Sequence, residues 1–292
     1  MTKPFPADSI RLAQRPTVQM TEPHSVDTIR LAQRPTVQMT EPHSVDTIRR
    51  YETSTLNTSP ALHEQDIDGW RVRASGTDTR RTNSATCLYP TTHTTLDATI
   101  ASVEAWFAAK QQGSVFRLTD ALSPLGMDAR LAERGYRYAI NCHFMTRPLD
   151  NVVASSLPES IQIHEVSLLV GTELLHQLKQ MDADKAAVEV ARQQLWQGAQ
   201  RFLTVRVDGV LAAIGLGRIE SAHVGIFCMH TVEAFRGRGY ARPIINSLCE
   251  WGSQSGAHTA FLQVEADNAT AISLYEGAGF VPAYSYWHRI QP

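Results

Sequence analysis

Arg236-Gly237-Arg238-Gly239-Tyr240-Ala241 lies between an apolar run and an amphipathic helix, and its composition suits the holding of a phosphate. Glycines at 237 and 239 allow backbone conformations that a side chain forbids, so successive N–H groups can converge on one anion at a helix N-terminus. Upstream, residues 222–232 are rich in β-branched and aromatic side chains and read as a buried strand. Downstream, Ala241, Ile244, Ile245, Leu248 and Trp251 recur at helical spacing, and the pattern stops near Gly252 and Gly256. The loop therefore sits at a strand-to-helix switch. A glycine pair of this kind also occurs in plain turns. Two other phosphate sites fit poorly. A nucleotide P-loop needs Lys-Ser or Lys-Thr after its last glycine, where this chain has Tyr240-Ala241. A dinucleotide fold needs a third glycine, absent here, and an acidic residue about 20 residues on. Glu265 falls 26 residues after Gly239.

The next elements add a second motif. Residues 259–265 read as a strand, and Asn268 precedes a short helix, Ala269 to Gly277, closed by Gly279-Phe280. Arg236, Gly239 and Ala241 match a pattern Arg/Gln-x-x-Gly-x-Gly/Ala. Asn268, Ala271, Leu274, Tyr275, Gly279 and Phe280 match Asn-x-x-Ala-x-x-Leu-Tyr-x-x-x-Gly-Phe. In both motifs, in their order and in their separation, the chain from roughly 160 to 292 resembles the GNAT superfamily of acetyl-CoA-dependent N-acetyltransferases.

The resemblance implies an α/β (mixed α+β) fold whose sheet is twisted and mostly antiparallel, flanked by helices. It implies acetyl-CoA as co-substrate. Its pyrophosphate would be held by the loop Arg236, Gly237, Arg238, Gly239, Tyr240 and Ala241, with Asn268 also among the cofactor-binding residues. The strand before the loop would splay from strand 259–265, freeing backbone groups of Met229, Thr231 and Val232 for the pantetheine arm, since a buried backbone group needs a partner. Tyr275 would give its proton to the departing thiolate, because a phenol stays protonated at neutral pH.

The base is less direct. Some members of the superfamily carry Glu or His nine residues before the loop's first Arg/Gln, a position held here by Phe227. Glu220, His223, His230 and Glu265 remain as titratable groups. A strand period of two puts His223, unlike His230, on the face of Phe227. Glu265 and His223 accordingly join Tyr275 as the expected catalytic residues.

Composition bounds the rest. With 292 residues and 43% hydrophobic content the chain can form about two packed domains, and a net charge of −2 argues against a nucleic-acid partner. Cys87, Cys142, Cys228 and Cys249 form no CxxC pair, and eleven scattered histidines show no metal-ligand spacing, so no metal is expected. No stretch approaches the ~18 apolar residues of a membrane span, and no signal-peptide pattern opens the chain. These features lead to the expectation of a cytoplasmic protein without a membrane partner.

Residues 10–28 recur identically at 29–47, so the segment 1–50 reads as duplicated, mobile and without function. Residues 51–150 read as a second folded unit: strands at Asp68–Ala74 and Thr79–Tyr89, a helix marked by Leu96, Ile100, Val103 and Phe107, strand Ser114–Leu118, helix Met127–Arg134 and strand Tyr136–Thr146. Gly113, strand, helix, Gly135-Tyr136 echoes Gly256, strand, helix, Gly279-Phe280, with spacings of 22 and 23 residues. The first unit would then be a degenerate GNAT-like domain: its loop, Tyr89 to Thr95, lacks glycines, and Leu131 stands opposite Tyr275. Residues 151–160 read as linker, and 161–292 as the catalytic domain, with helices at 167–180 and 185–199 and a hairpin around Asp208-Gly209.

The expected function is transfer of an acetyl group from acetyl-CoA to a primary amine of a small molecule or peptide. The alternatives are a non-catalytic acyl-CoA-binding sensor, consistent with the missing strand-borne base, and a nucleotide-binding oxidoreductase.

Overall fold

A computed structural model describes residues 43–77, 79–90, 93–150, 152 and 161–292. The duplicated segment up to residue 42 and nearly all of the expected linker lie outside the described residues. The described residues fall in one compact unit.

The first half begins with helix α1 (Val45–Thr58) and hairpin β1 (His63–Ile67) and β2 (Trp70–Ala74). A 3₁₀ turn at Arg80–Thr82 leads to β3 (Ser84–Cys87), α2 (Leu96–Ala108), β4 (Val115–Thr119), α3 (Met127–Glu133) and β5 (Arg137–Pro148). The second half runs β6 (Ile161–Val166), α4 (Leu168–Lys179), α5 (Ala183–Gln194), β7 (Gln200–Val207), β8 (Val210–Glu220) and β9 (His223–Thr231). After a 3₁₀ turn at Glu233–Phe235 come α6 (Ala241–Gln254), β10 (Thr259–Glu265), α7 (Ala269–Gly277) and β11 (Val281–Ile290).

The eleven strands among the described residues form one sheet, in the order β1-β2-β3-β4-β11-β5-β10-β9-β8-β7-β6. The halves exchange their last strands: β5 pairs with β10 of the second half, and β11 pairs with β4 of the first. Each half has one short parallel pairing, β3 with β4 and β9 with β10; the other pairings are antiparallel.

Local chemistry accounts for several of these elements. Asp68-Gly69 and Asp208-Gly209 take positive φ at both residues, the turn geometry that matches strand twist in two-residue hairpins. Ser44, Thr95, Ser167, Asp182 and Asn268 cap their helices, each side-chain oxygen accepting from an amide of the first turn.

Three expectations change. The strand expected over Thr79–Tyr89 is shorter, because Arg80–Thr82 curl into a turn pinned by Asn83, whose side chain accepts from Ser75 N and donates to the Thr77 and Thr79 carbonyls. Strand β1 was not foreseen: its residues, His-Glu-Gln-Asp-Ile, are mostly exposed and carry no apolar alternation. Residues 45–50, expected to be mobile, belong to α1, which covers the centre of the sheet. Glu52 of that helix is fully buried, accepting from Arg117 Nη2 at 2.7 Å and from Tyr284 OH at 2.6 Å. Beside it Phe144 stacks on Tyr51, Phe261 and Tyr284, joining α1, both halves and the exchanged strands. Each such pair adds about 0.5–1.5 kcal/mol beyond burial.

Candidate functional site

The pairing of β9 with β10 stops at Gly225 and Phe261, and beyond that point the strands part. The gap continues into a cleft of about 760 Å³ lined by Met229, His230 and Thr231 of β9, the loop from Phe235 to Ala241, and α7 from Asn268 to Tyr275.

Helix α6 opens this cleft without a side-chain cap. Gly237 and Gly239 hold φ of +72° and +81°, with open space where a Cβ would stand. The amides of Gly237, Arg238, Gly239, Tyr240 and Ala241 donate to no acceptor among the described residues. The loop thus presents a run of unused donors at the positive end of a 14-residue helix. That is an anion cradle, and a diphosphate fits its donor set.

The structure brings Met229, Thr231, Arg236, Gly237, Gly239, Tyr240, Ala241, Asn268 and Tyr275 to the cleft. Val232 and Arg238 do not line it. Val232 N–H, expected to be free, bonds to Ala212 O at 2.9 Å. Strand β9 stays paired to β8 as far as Thr231, so only its other edge is open. Arg238 is exposed, and Arg236 turns its Nε to Thr231 O at 3.3 Å. Asn268 caps α7 by accepting from Ala271 N at 3.0 Å.

Tyr275 is 8% exposed, and its hydroxyl makes no hydrogen bond among the described residues. Burial raises its pKa above the ordinary phenol value, and Arg81 partly offsets this, so the proton is held at neutral pH.

His223 and Glu265 lie elsewhere. His223 sits at the start of β9, its Nδ1 at 2.8 Å from Ser54 Oγ and its ring edge-on to Tyr51, where it docks α1. At about 3.3 Å per residue, Met229 is roughly 20 Å further along the strand. Neighbouring Glu220 serves the same contact, accepting from Asn57 at 2.8 Å. Glu265 is exposed at the end of β10, opposite Cys142.

His230, by contrast, lines the cleft. Strand β9 carries a bulge: Cys228 adopts φ +55°, and Cys228 and Met229 together oppose the single residue Gly215. One extra residue reverses the alternation. His230 is therefore paired with Ile214 as Phe227 is with Leu216, and Ile214, Leu216 and Phe227 share one core cluster. The expectation that His230 and Phe227 occupy opposite faces is corrected accordingly. Gly215 makes room for the bulge, since a Cβ there would stand 2.5 Å from Met229 Sδ. Burial, reinforced by the charges of Lys179 and Arg236, lowers the His230 pKa below 6.5, which keeps the imidazole neutral at pH 7.

The two halves differ at corresponding helix starts. Gly135 and Gly279 close α3 and α7 with φ of +83° and +85°, and the amides of Tyr136 and Phe280 bond back to Leu131 O and Tyr275 O, each at 3.0 Å. Leu131, fully buried, thus stands where the second half has Tyr275. Thr95 caps α2, whereas α6 is left open.

Cleft, cradle and splayed strands define an acyltransferase-like α/β protein. Residues 45–289 match the family described as "Probable histone acetyltransferase Rv0428c C-terminal", and the chain belongs to that family. It is 24% identical over 237 residues to the "Uncharacterized N-acetyltransferase YobR" of Bacillus subtilis, an alignment covering 80% of this chain and 94% of that one. The [Ribosomal protein bS18]-alanine N-acetyltransferase of Salmonella typhimurium is 30% identical over 83 residues, 28% of this chain and 56% of that protein. A GCN5-related N-acetyltransferase from Kribbella flavida superposes with a TM-score of 0.65 at 15% identity, covering 84% of this chain and 95% of that one. The chain is an acetyltransferase of the GNAT superfamily. No helix among the described residues is long and apolar enough to cross a membrane.

Proposed function

We propose that this protein moves the acetyl group of acetyl-CoA to a primary amine, and that its second half holds the reacting groups. The unused amides from Gly237 to Ala241 carry this reading, because they open onto the same cleft as Tyr275. When bound, acetyl-CoA supplies the thioester. The loop amides hold its pyrophosphate, and the open edge of β9 at Met229 to Thr231 lies alongside its pantetheine arm. Neutral His230 accepts the proton from the amine, and Tyr275 protonates the departing thiolate. The first half acts as a scaffold derived from the same architecture, its phosphate site closed by the Thr95 cap and its proton donor replaced by Leu131.

The test is acetyl-CoA binding and amine-dependent CoA release by the full chain, with Tyr275→Phe as the diagnostic variant. Loss of one general acid lowers turnover by about 10²–10⁴-fold, while acetyl-CoA affinity is expected to stay at the wild-type value. Tight binding without turnover on any amine identifies a sensor and refutes the transferase reading.

A further inference from the structure

The start of α6 carries more positive charge than the protein's own contacts use. Arg236, Arg238 and Arg242 fall within seven residues, and the helix has no acidic residue in its first turn. Arg242 is the second residue of α6, at the end where the helix dipole disfavours a cation. Its guanidinium forms no hydrogen bond or ion pair among the described residues, and neither does that of Arg238. Arginines elsewhere on the surface are matched: Arg130 pairs with Asp97 at 2.7 Å and Arg289 with Asp128 at 2.8 Å.

The course of the Arg242 side chain fixes where its charge lies. A Cβ at Gly277 of α7 would collide with Arg242 Nη2, so the side chain crosses from α6 and rests on that glycine. Gly277 comes three residues after Leu274, four after Ser273 and seven after Thr270, spacings that place residues on one face of a helix. Thr270, Ser273 and Leu274 all line the cleft, as do Tyr240 and Ala241, which directly precede Arg242. The guanidinium therefore stands at the end of the α7 stripe that walls the cleft, about one helical turn beyond Ser273. The hydroxyls of Thr270 and Ser273 make no hydrogen bond among the described residues. Glu276, beside Gly277 in the chain, forms no ion pair with Arg242. Glycine weakens a helix, and at 277 it leaves the room that the guanidinium fills.

We propose that Arg242 and Ser273 form a subsite for the 3′-phosphate of acetyl-CoA, so that the protein binds acetyl-CoA in preference to its 3′-dephospho form. This rests on the cofactor of the transferase reading above and deepens it. The amides from Gly237 to Ala241 take the diphosphate, and the remaining phosphate of the same nucleotide is a monoester one ribose away. A phosphate monoester carries about −1.5 to −2 charges at pH 7, which matches a guanidinium with no acid of its own. The planar guanidinium offers paired donors to the phosphate oxygens, and Ser273 Oγ–H donates one more.

The experiment is calorimetric titration of acetyl-CoA and of 3′-dephospho-acetyl-CoA into the full chain. Wild-type Kd is expected to be at least about tenfold lower for acetyl-CoA, the value of one charge-assisted hydrogen bond. Arg242→Gln should raise the Kd of acetyl-CoA by about 10- to 100-fold and leave that of the dephospho form unchanged, which removes the preference. Ser273→Ala should act in the same direction by a smaller factor. Arg242→Lys keeps the charge without the paired donors and should keep part of the preference, and thermal melts check that each variant is folded. A merely structural strut between α6 and α7 would weaken both forms alike. Equal wild-type affinities for the two forms, or equal losses on both in Arg242→Gln, overturn this inference and leave the cradle and the transferase reading standing. Binding of neither form overturns both.

Discussion

Gly239 is the position at which the cradle is most exposed to test. In the free protein its φ is +81°, and a Cβ would meet no atom within 4 Å. Gly239→Ala therefore loses no contact and clashes with nothing; its cost is the left-handed backbone, about 1–2 kcal/mol. For a chain of this size that corresponds to a melting point lower by about 2–8 °C. The effect on binding is separate. A loop that relaxes toward negative φ turns its amide away from the anion, and each charge-assisted hydrogen bond so lost is worth about 1.5–3 kcal/mol, or about 10- to 150-fold in Kd. Gly239→Trp adds bulk in the cleft and should abolish binding altogether. Gly256 supplies the control, since it also has positive φ, +86°, and open space, but lies beyond the other end of α6. Gly256→Ala should show a similar fall in melting point with unchanged affinity. Calorimetric titration of acetyl-CoA into the three variants, with melts in parallel, decides the matter. Wild-type affinity in Gly239→Trp, or equal loss in the two alanine variants, would refute the assignment of the cradle.

Two further outcomes are expected. Because burial sets the His230 pKa below 6.5, the imidazole protonates only as pH falls through that lower value; kcat should hold above pH 6.5 and drop below it, and His230→Gln should lower the plateau and remove that acid limb, as a pH–rate profile would register. Glu52→Ala leaves Arg117 buried without its carboxylate, at a cost of about 3–5 kcal/mol, whereas Glu52→Leu with Arg117→Met should recover most of that; urea unfolding of the three proteins measures the difference, and an unaffected single variant would show that α1 is not held by this pair.

The legibility of these features in the sequence follows the range of the interactions that make them. The loop, α6 and α7 were readable because glycines at fixed offsets, an apolar helical stripe and the Asn268 cap are local signals. The bulge at Cys228 was not. A single left-handed residue in an apolar strand leaves no compositional trace, yet it moves His230 to the face of Phe227. Small Gly215 opposite is the only cue. Helix α1 escaped for a different reason: its buried positions include Glu52, Ser54, Thr55 and Thr58, so no apolar stripe marks the docked face.

The exchange of last strands ties the first half to the cleft of the second. Among the described residues β11 pairs with β4 and β5, both from the first half, and β10 has β5 along its whole length but β9 for three residues. The cleft depends on that inequality. Strand β10 can release β9 and leave an edge open for a ligand because its other edge is fully satisfied by β5, so the splay exposes little backbone without a partner. Tyr275 sits on α7, between β10 and β11 in the chain, and its closing turn, through Phe280, feeds directly into β11. The first half, through β4 and β5, therefore holds the strand that follows the phenol, and Arg81 reaches Gln263 O on β10. The strands of the first half thus frame the cleft of the second, whatever chemistry each half carries.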